Sequence, residues 1–142
     1  MLDQKSKLLL KRANLIMIAM VVIHDADHIR QAICWNYTIG LEVWIVNIIV
    51  YLPSLIALYL LGKKRRSAVN ATMVNGLLVA SAFAKVHLWK PVIPVWGVWN
   101  RSFFELGADA LSWTILVMTM FVGVGVAMTG AYVKGRLSGK NS

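Results

Sequence analysis

The fold prediction starts from residues 13–31, ANLIMIAMVVIHDADHIRQ, where an apolar run ends in five ionisable side chains within seven residues. The run from Ala13 to Ile23 contains one polar residue, Asn14. At 100° per residue, a helix places side chains spaced at i, i+3, i+4 and i+7 on one face. The polar side chains with this spacing are His24, Asp27, His28 and Gln31. The stretch therefore predicts an apolar helix with a polar stripe at its end.

The same stretch has the spacing of a metal-binding helix. Two imidazoles one turn apart, with a carboxylate between them, are a recurring way for a helix to present metal ligands. His24 and His28 have this spacing, and Asp27 shares their face. Asp25 points well away from that face, whereas Arg30 lies close enough to pair with Asp27. The pattern favours a metal site.

The composition of the 142-residue chain, 58% hydrophobic and 15% charged, is too apolar for an ordinary soluble domain. It indicates an integral membrane protein. The basic residues behind the net charge of +9 cluster beside apolar segments, which is typical of membrane topology and not of nucleic-acid binding. We therefore expect the lipid bilayer and other membrane subunits as partners, and no nucleic acid. Cys34 is the only cysteine, which excludes an internal disulfide and a multi-cysteine zinc site.

Four apolar segments predict an all-α, four-helix transmembrane bundle that forms a single domain over residues 1–142. The helices are expected at about residues 8–34, 42–61, 69–89 and 105–133, since a helix needs about 20 residues to cross the hydrocarbon core. Pro53 falls within the second helix and is expected to kink it. Residues 90–104 contain prolines and tryptophans, so we predict a loop that follows the membrane interface.

Positive charge is concentrated at one end of the predicted helices. Eleven of the fifteen Lys and Arg residues lie there: Lys5, Lys7, Lys11, Arg12, Lys63, Lys64, Arg65, Arg66, Lys134, Arg136 and Lys140. Five of the six acidic residues lie towards the opposite end. The positive-inside rule then predicts that both termini are cytoplasmic, and we call the acidic end of the bundle its outer end.

A third histidine, His87, is predicted at the same depth as the pair on the first helix. At 1.5 Å per residue, His28 and His87 each lie about 26–27 Å from the basic end of their helices. We predict that His24, His28 and His87 converge in the outer half of the bundle, with Asp27 as a metal ligand or as an acceptor for an imidazole N–H. One ion can be shared only if nitrogens of His28 and His87 lie within about 5 Å.

Small residues recur every four positions on the third and fourth helices. The two series are Gly76, Ala80 and Ala84, and Gly123, Ala127 and Ala131. Ridges of small side chains let helix backbones approach closely in membranes. We therefore predict tight contact between these helices, or between each of them and a partner chain.

The chain resembles small four-helix membrane proteins of prokaryotes, most of them uncharacterised. The resemblance covers most of the chain and has two parts. His24, Asp27, His28, Arg30 and Gln31 match H-x-x-D-H-x-R-Q in the first helix, and Val86-His87-Leu88 precedes a Pro- and Trp-rich outer loop. It implies a four-helix fold, an outward-facing polar site and a location in the prokaryotic cell membrane. It implies no reaction.

Three functions compete. The first is a site where His24, His28 and His87 bind copper, zinc, iron or a haem as part of a membrane redox enzyme. The second is a non-catalytic accessory subunit of a larger membrane metalloenzyme, such as a copper monooxygenase or a respiratory oxidase, because a small bundle has little room for a substrate cavity. The third, a proton or ion path, is the weakest, because the inner halves of the helices lack ionisable groups. Its relay would consist of Asp25, Asp27, His28, Glu42 and Asp109.

Overall fold

A computed structural model describes residues 2–89 and 103–139. Every regular element within these ranges is a helix. In chain order they are α1 (Gln4–Cys34), α2 (Leu41–Ile49), α3 (Leu52–Gly62), α4 (Ser67–Leu88), α5 (Phe103–Leu106) and α6 (Ala110–Ser138). The predicted all-α class is therefore confirmed for these residues. The predicted interfacial loop 90–104 lies outside the described residues except at its end, where Phe103 begins α5.

Two of the four predicted helices are divided. The helix predicted at 42–61 is interrupted between Ile49 and Leu52, so Pro53 breaks it and stands in the first turn of α3. Proline has no N–H to donate to the carbonyl four residues earlier, and it fits best at the start of a helix. The helix predicted at 105–133 is divided at Gly107, which has a φ of 63°. The chain resumes as α6 after Asp109, whose carboxylate caps the new helix.

Three segments are long and apolar enough to cross a membrane: Leu41–Gly62, which combines α2 and α3, Ser67–Leu88 and Ala110–Ser138. The first helix, α1, has 31 residues, but charged side chains interrupt it near both ends. Its uncharged stretch runs only from Ala13 to His24, between Arg12 and Asp25. This stretch is shorter than the roughly 20 residues that a spanning helix needs, so α1 lacks the composition of the other three.

The closest helix pair is α4 with α6, which meet through the predicted small-residue ridges. A Cβ added at Gly123 would lie 2.9 Å from the carbonyl oxygen of Gly76 and 3.0 Å from the Cβ of Ala80. A Cβ added at Gly76 would lie even closer to the backbone of Gly123 and Ala127. Backbone contact of this kind requires glycine, and it confirms that the two ridges face each other.

The ridge on α6 continues through Gly130, and Ala131 is exposed. A Cβ at Gly130 would lie 2.9 Å from the backbone nitrogen of Met73. A strict four-residue spacing drifts around a helix that has 3.6 residues per turn, so the third contact falls at i+7 instead of i+8. The predicted position was wrong by one residue for this reason.

Polar side chains join α1, α3 and α4 in the interior, towards the basic end. The amide nitrogen of Asn14 donates to the hydroxyl of Thr72 at 2.9 Å, and that of Asn75 donates to the carbonyl oxygen of Asn14 at 2.9 Å. Asn75 also donates to Ser54 at 2.8 Å. All four side chains are buried. Hydrogen bonds between helices hold such bundles together where lipid tails supply no hydrophobic driving force.

Candidate metal centre

The three histidines converge at the outer end of the bundle. His24 lies on the buried face of α1, His87 lies in the last turn of α4, and His28 is half-buried beside them. One nitrogen of each imidazole can be chosen so that all three lie within 4.8 Å of one another. The limit of about 5 Å that a shared ion requires is therefore met. The arrangement is a cluster that can hold a metal ion.

His24 and His87 lie within hydrogen-bond distance, with their Nε2 atoms 3.2 Å apart. The Nδ1 atom of His87 lies 2.9 Å from the carbonyl oxygen of Phe83. A carbonyl oxygen can only accept, so Nδ1 carries the proton and the neutral ring directs an Nε2 lone pair at His24. The lone pair faces either a proton on His24 or an ion bound between the two rings.

A tetrahedral ion fits this spacing. Metal–nitrogen bonds of about 2.0–2.1 Å place the donor atoms of two ligands about 3.3–3.4 Å apart. His24 and His87 already stand at nearly this separation. The His28 nitrogen lies within 4.8 Å of the other two donors and would have to move closer to them, and its partly buried side chain borders a cavity that gives it room. The carbonyl groups at the C-terminus of α4, beside His87, also favour a cation at this position.

Aromatic side chains hold two of the rings in place. The His24 ring meets Phe83 edge-on with centroids 4.5 Å apart, and the His87 ring meets Phe103 edge-on at 4.9 Å. Edge-to-face packing fixes ring orientation, and the apolar surroundings keep water away from His24 and His87. The Nδ1 atom of His24 is buried and has no hydrogen-bond partner within the described residues. A buried polar atom without a hydrogen bond lowers the stability of the fold, and a functional role is one reason for a protein to keep such an atom.

The structure does not bring Asp27 into the histidine cluster. One of its oxygens accepts from Nε of Arg30 at 2.7 Å, and the other accepts from Nε2 of Gln31 at 2.7 Å. Each oxygen therefore bonds one neighbour on α1. Asp27 stays near the site as a buried negative charge, which favours a cation, and its role as a metal ligand or as an imidazole acceptor stays a prediction.

Arg30 also connects α1 to α6, and this contact was not predicted from the sequence. Its guanidinium donates to both oxygens of Asp109, at 2.8 and 2.9 Å, and to the hydroxyl of Ser112 at 2.8 Å. The hydrogen bonds from Arg30 lower the pKa of Asp109 below its ordinary value, and the backbone N–H of Ser112 lowers it further. Gln31 donates to the same hydroxyl at 2.9 Å. This network fixes the end of α1 that carries His24 and His28.

Among the acidic side chains that the structure describes, Asp25, Glu42 and Asp109 do not contact one another. Asp25 accepts a hydrogen bond from the hydroxyl of Tyr51 at 2.6 Å, away from the histidine cluster. Glu42 is exposed at the start of α2. Asp109 is paired with Arg30. Cys34 is exposed and does not belong to the histidine cluster.

Comparison with protein-family models, curated proteins and solved structures gives no match. The resemblance to small four-helix membrane proteins therefore stays a prediction. What is known of the site rests on the positions of its own residues.

Proposed function

We propose that the chain is an integral membrane protein that binds one transition-metal ion through His24, His28 and His87 in the outer half of its bundle. The observation that carries the proposal is the meeting of three imidazole donors within 4.8 Å, from helices far apart in the sequence. Imidazole nitrogens suit zinc, copper and iron. Three protein ligands on a four-coordinate ion leave one position open for another molecule, as in catalytic sites.

The proposed topology has four membrane crossings and both termini in the cytoplasm. Asp3 before α1 pairs with Arg136 near the end of α6 at 3.5 Å, while Arg30 near the end of α1 pairs with Asp109 before α6. These contacts support an antiparallel arrangement in which the basic ends lie together, as the positive-inside rule requires of a cytoplasmic face. Although α1 is less apolar than the other three, its buried polar stripe faces protein and need not meet lipid.

The geometry favours a bare ion over a haem. Two histidines that bind opposite faces of a haem iron need the macrocycle between them. The Nε2 atoms of His24 and His87 are only 3.2 Å apart, and their rings meet edge-on with centroids 4.9 Å apart, which leaves no space for a macrocycle. The cavity beside the rings has a volume of about 90 Å³, far below what a porphyrin occupies.

Metal analysis of purified variants tests the proposal. The wild-type chain, dialysed against zinc or copper and then desalted, is expected to retain about one ion per chain. His24→Ala and His87→Ala should each lower the affinity by more than about tenfold, because each removes a ligand. Cys34→Ser is the control, since its thiol lies outside the cluster. Equal metal retention by all four proteins would refute the site.

The affinity for the metal ion can change with pH in only one direction. A metal ion needs the neutral imidazole, so protons compete with it and affinity must fall as the pH decreases. The structural alternative, in which His24 simply donates a hydrogen bond to His87, predicts no metal retention at any pH. Circular dichroism on the same samples shows whether a variant that lost metal has kept its helices.

A second candidate is an accessory subunit, and one observation favours it. No side chain of α2 is buried, and the exposed side chains of this helix include Leu41, Trp44 and Ile48. A helix that is exposed along its length is covered either by lipid or by a partner chain. Native mass spectrometry after mild extraction separates the two: a partner subunit retained with the wild type and lost with Trp44→Ala would support the accessory role, whereas a monomer would contradict it.

A further inference from the structure

A cavity lies directly against the histidine cluster, between α1, α2 and α4. His24, His28 and His87 line one end of it. Its other walls are mainly aliphatic and aromatic, and they include Ile39, Val43, Val46, Val50, Val86 and Phe103. The site therefore combines a metal-binding end with an apolar chamber. The cavity is small, in keeping with the prediction that a bundle of this size has little room for a substrate cavity.

The size of the cavity limits its occupant. Its volume of about 90 Å³ compares with about 30 Å³ for a water molecule in the liquid, and with about 150 Å³ for a buried cavity known to hold benzene or xenon. A molecule of a few heavy atoms fits, such as a dissolved gas or a short hydrocarbon. An amino acid, a sugar or a nucleotide does not.

Away from the histidines, the residues that line the cavity are uncharged. Apart from the imidazoles, no described residue that lines the cavity is ionisable at neutral pH, and the polar residues are Gln31, Tyr37 and Asn47. The amide of Gln31 already bonds Asp27 and Ser112. An ion in the apolar part of the chamber, away from the imidazoles, would lose its hydration without compensation, whereas an apolar molecule would not. The cavity therefore selects for uncharged ligands.

Two residues that line the cavity are also exposed on the outside of the described bundle. Val46 on α2 and Ala82 on α4 line the cavity and are also exposed, with 37% of Val46 accessible. Both residues lie within the segments that are apolar enough to span a membrane. In a bilayer this side of the cavity meets the hydrocarbon layer, where small apolar molecules concentrate and ions do not.

From these observations we infer that the cavity is a binding site for a small uncharged, mainly apolar molecule that enters laterally from the membrane and is held against the three histidines. The inference rests on the proposed metal centre for the role of the ligand, which would occupy the open position of the ion. The existence of the apolar site itself depends only on the residues that line the cavity and not on a bound metal ion.

Xenon tests the cavity without any metal, because it is a small apolar probe that enters such cavities and is located by anomalous scattering. Crystals of the full chain, grown with and without metal and pressurised with xenon, are expected to show a peak beside the histidines in both. Val46→Phe should abolish the peak by filling the chamber. Ile45→Phe is the matched control, because Ile45 is the exposed neighbour on α2 and does not line the cavity.

Three results would overturn the inference. They are no xenon in the wild-type cavity, a peak that survives unchanged in Val46→Phe, and continuous density for a lipid acyl chain in place of the probe. A xenon peak in crystals that were grown with metal and yet contain no metal at the histidines would leave the apolar site standing and refute the metal centre. Metal retention without a xenon peak would instead refute the apolar site and leave the metal centre standing. The two proposals can therefore fail separately.

Discussion

Replacing Gly123 by alanine should separate α4 from α6, and the structure gives the size of the effect. The added Cβ would lie 3.0 Å from the Cβ of Ala80 and 2.9 Å from the carbonyl oxygen of Gly76. Carbon atoms pack best at about 3.5–4.0 Å, so the backbones must move apart by about 0.5–1 Å. Overpacking of this kind costs about 1–3 kcal/mol.

The matched control is Gly125→Ala on the same helix, where an added Cβ has no neighbour within 4 Å. Both substitutions change the intrinsic helix propensity equally, by about 0.5–1 kcal/mol in favour of alanine. The difference between their unfolding free energies therefore isolates the contact at Gly123. Denaturation by sodium dodecyl sulfate in mixed micelles, followed by tryptophan fluorescence, measures both. We expect Gly123→Ala to be less stable than Gly125→Ala by at least about 1 kcal/mol. Equal stabilities would refute the close packing of α4 on α6.

Three further predictions test other parts of the structure. Arg30 lowers the pKa of Asp109, so their ion pair stabilises the fold above about pH 4, the ordinary carboxyl range, and this stabilisation is lost as the pH falls further. Arg30→Gln should therefore weaken the dependence of the unfolding free energy on acidic pH, and an unchanged dependence would contradict the pair. Asn75→Leu should cost about 0.5–2 kcal/mol in the same micelle assay, since Asn14 and Ser54 lose a donor, and no loss would show that the buried polar cluster is unimportant. An impermeant maleimide applied to intact cells should label Cys34 and should not label a cysteine that replaces Lys64 in a chain without Cys34; the reverse pattern would invert the topology.

Local spacing was enough to predict the helical part of the site. His24 and His28 share a face because a helix turns by 100° per residue, and His87 matched their depth because all helices rise by the same 1.5 Å per residue. The carbonyl of Phe83 that orients His87 also follows from local geometry, since it lies four residues earlier on α4. Its role could have been predicted from the sequence.

The contacts between helices could not be predicted as well, because periodicity does not determine which neighbour a side chain meets. Asp27 had the right spacing for a ligand, yet Arg30 and Gln31 occupy its oxygens. Asp109 is one of the acidic residues expected at the outer end, but its pairing with Arg30 depends on how α6 begins after the turn at Gly107. The cavity beside the histidines depends on how α2 lies against α4, which hydropathy does not determine.

The most direct test of the metal centre is X-ray absorption at the metal K-edge on the purified full-length chain. We expect about three imidazole nitrogens at about 2.0–2.1 Å, with the multiple scattering typical of histidine, and a loss of one imidazole in His28→Ala. His28 is the informative position because it is the half-exposed member of the cluster, whose loss disturbs packing least. A first shell without imidazole, or one unchanged in His28→Ala, would contradict the site.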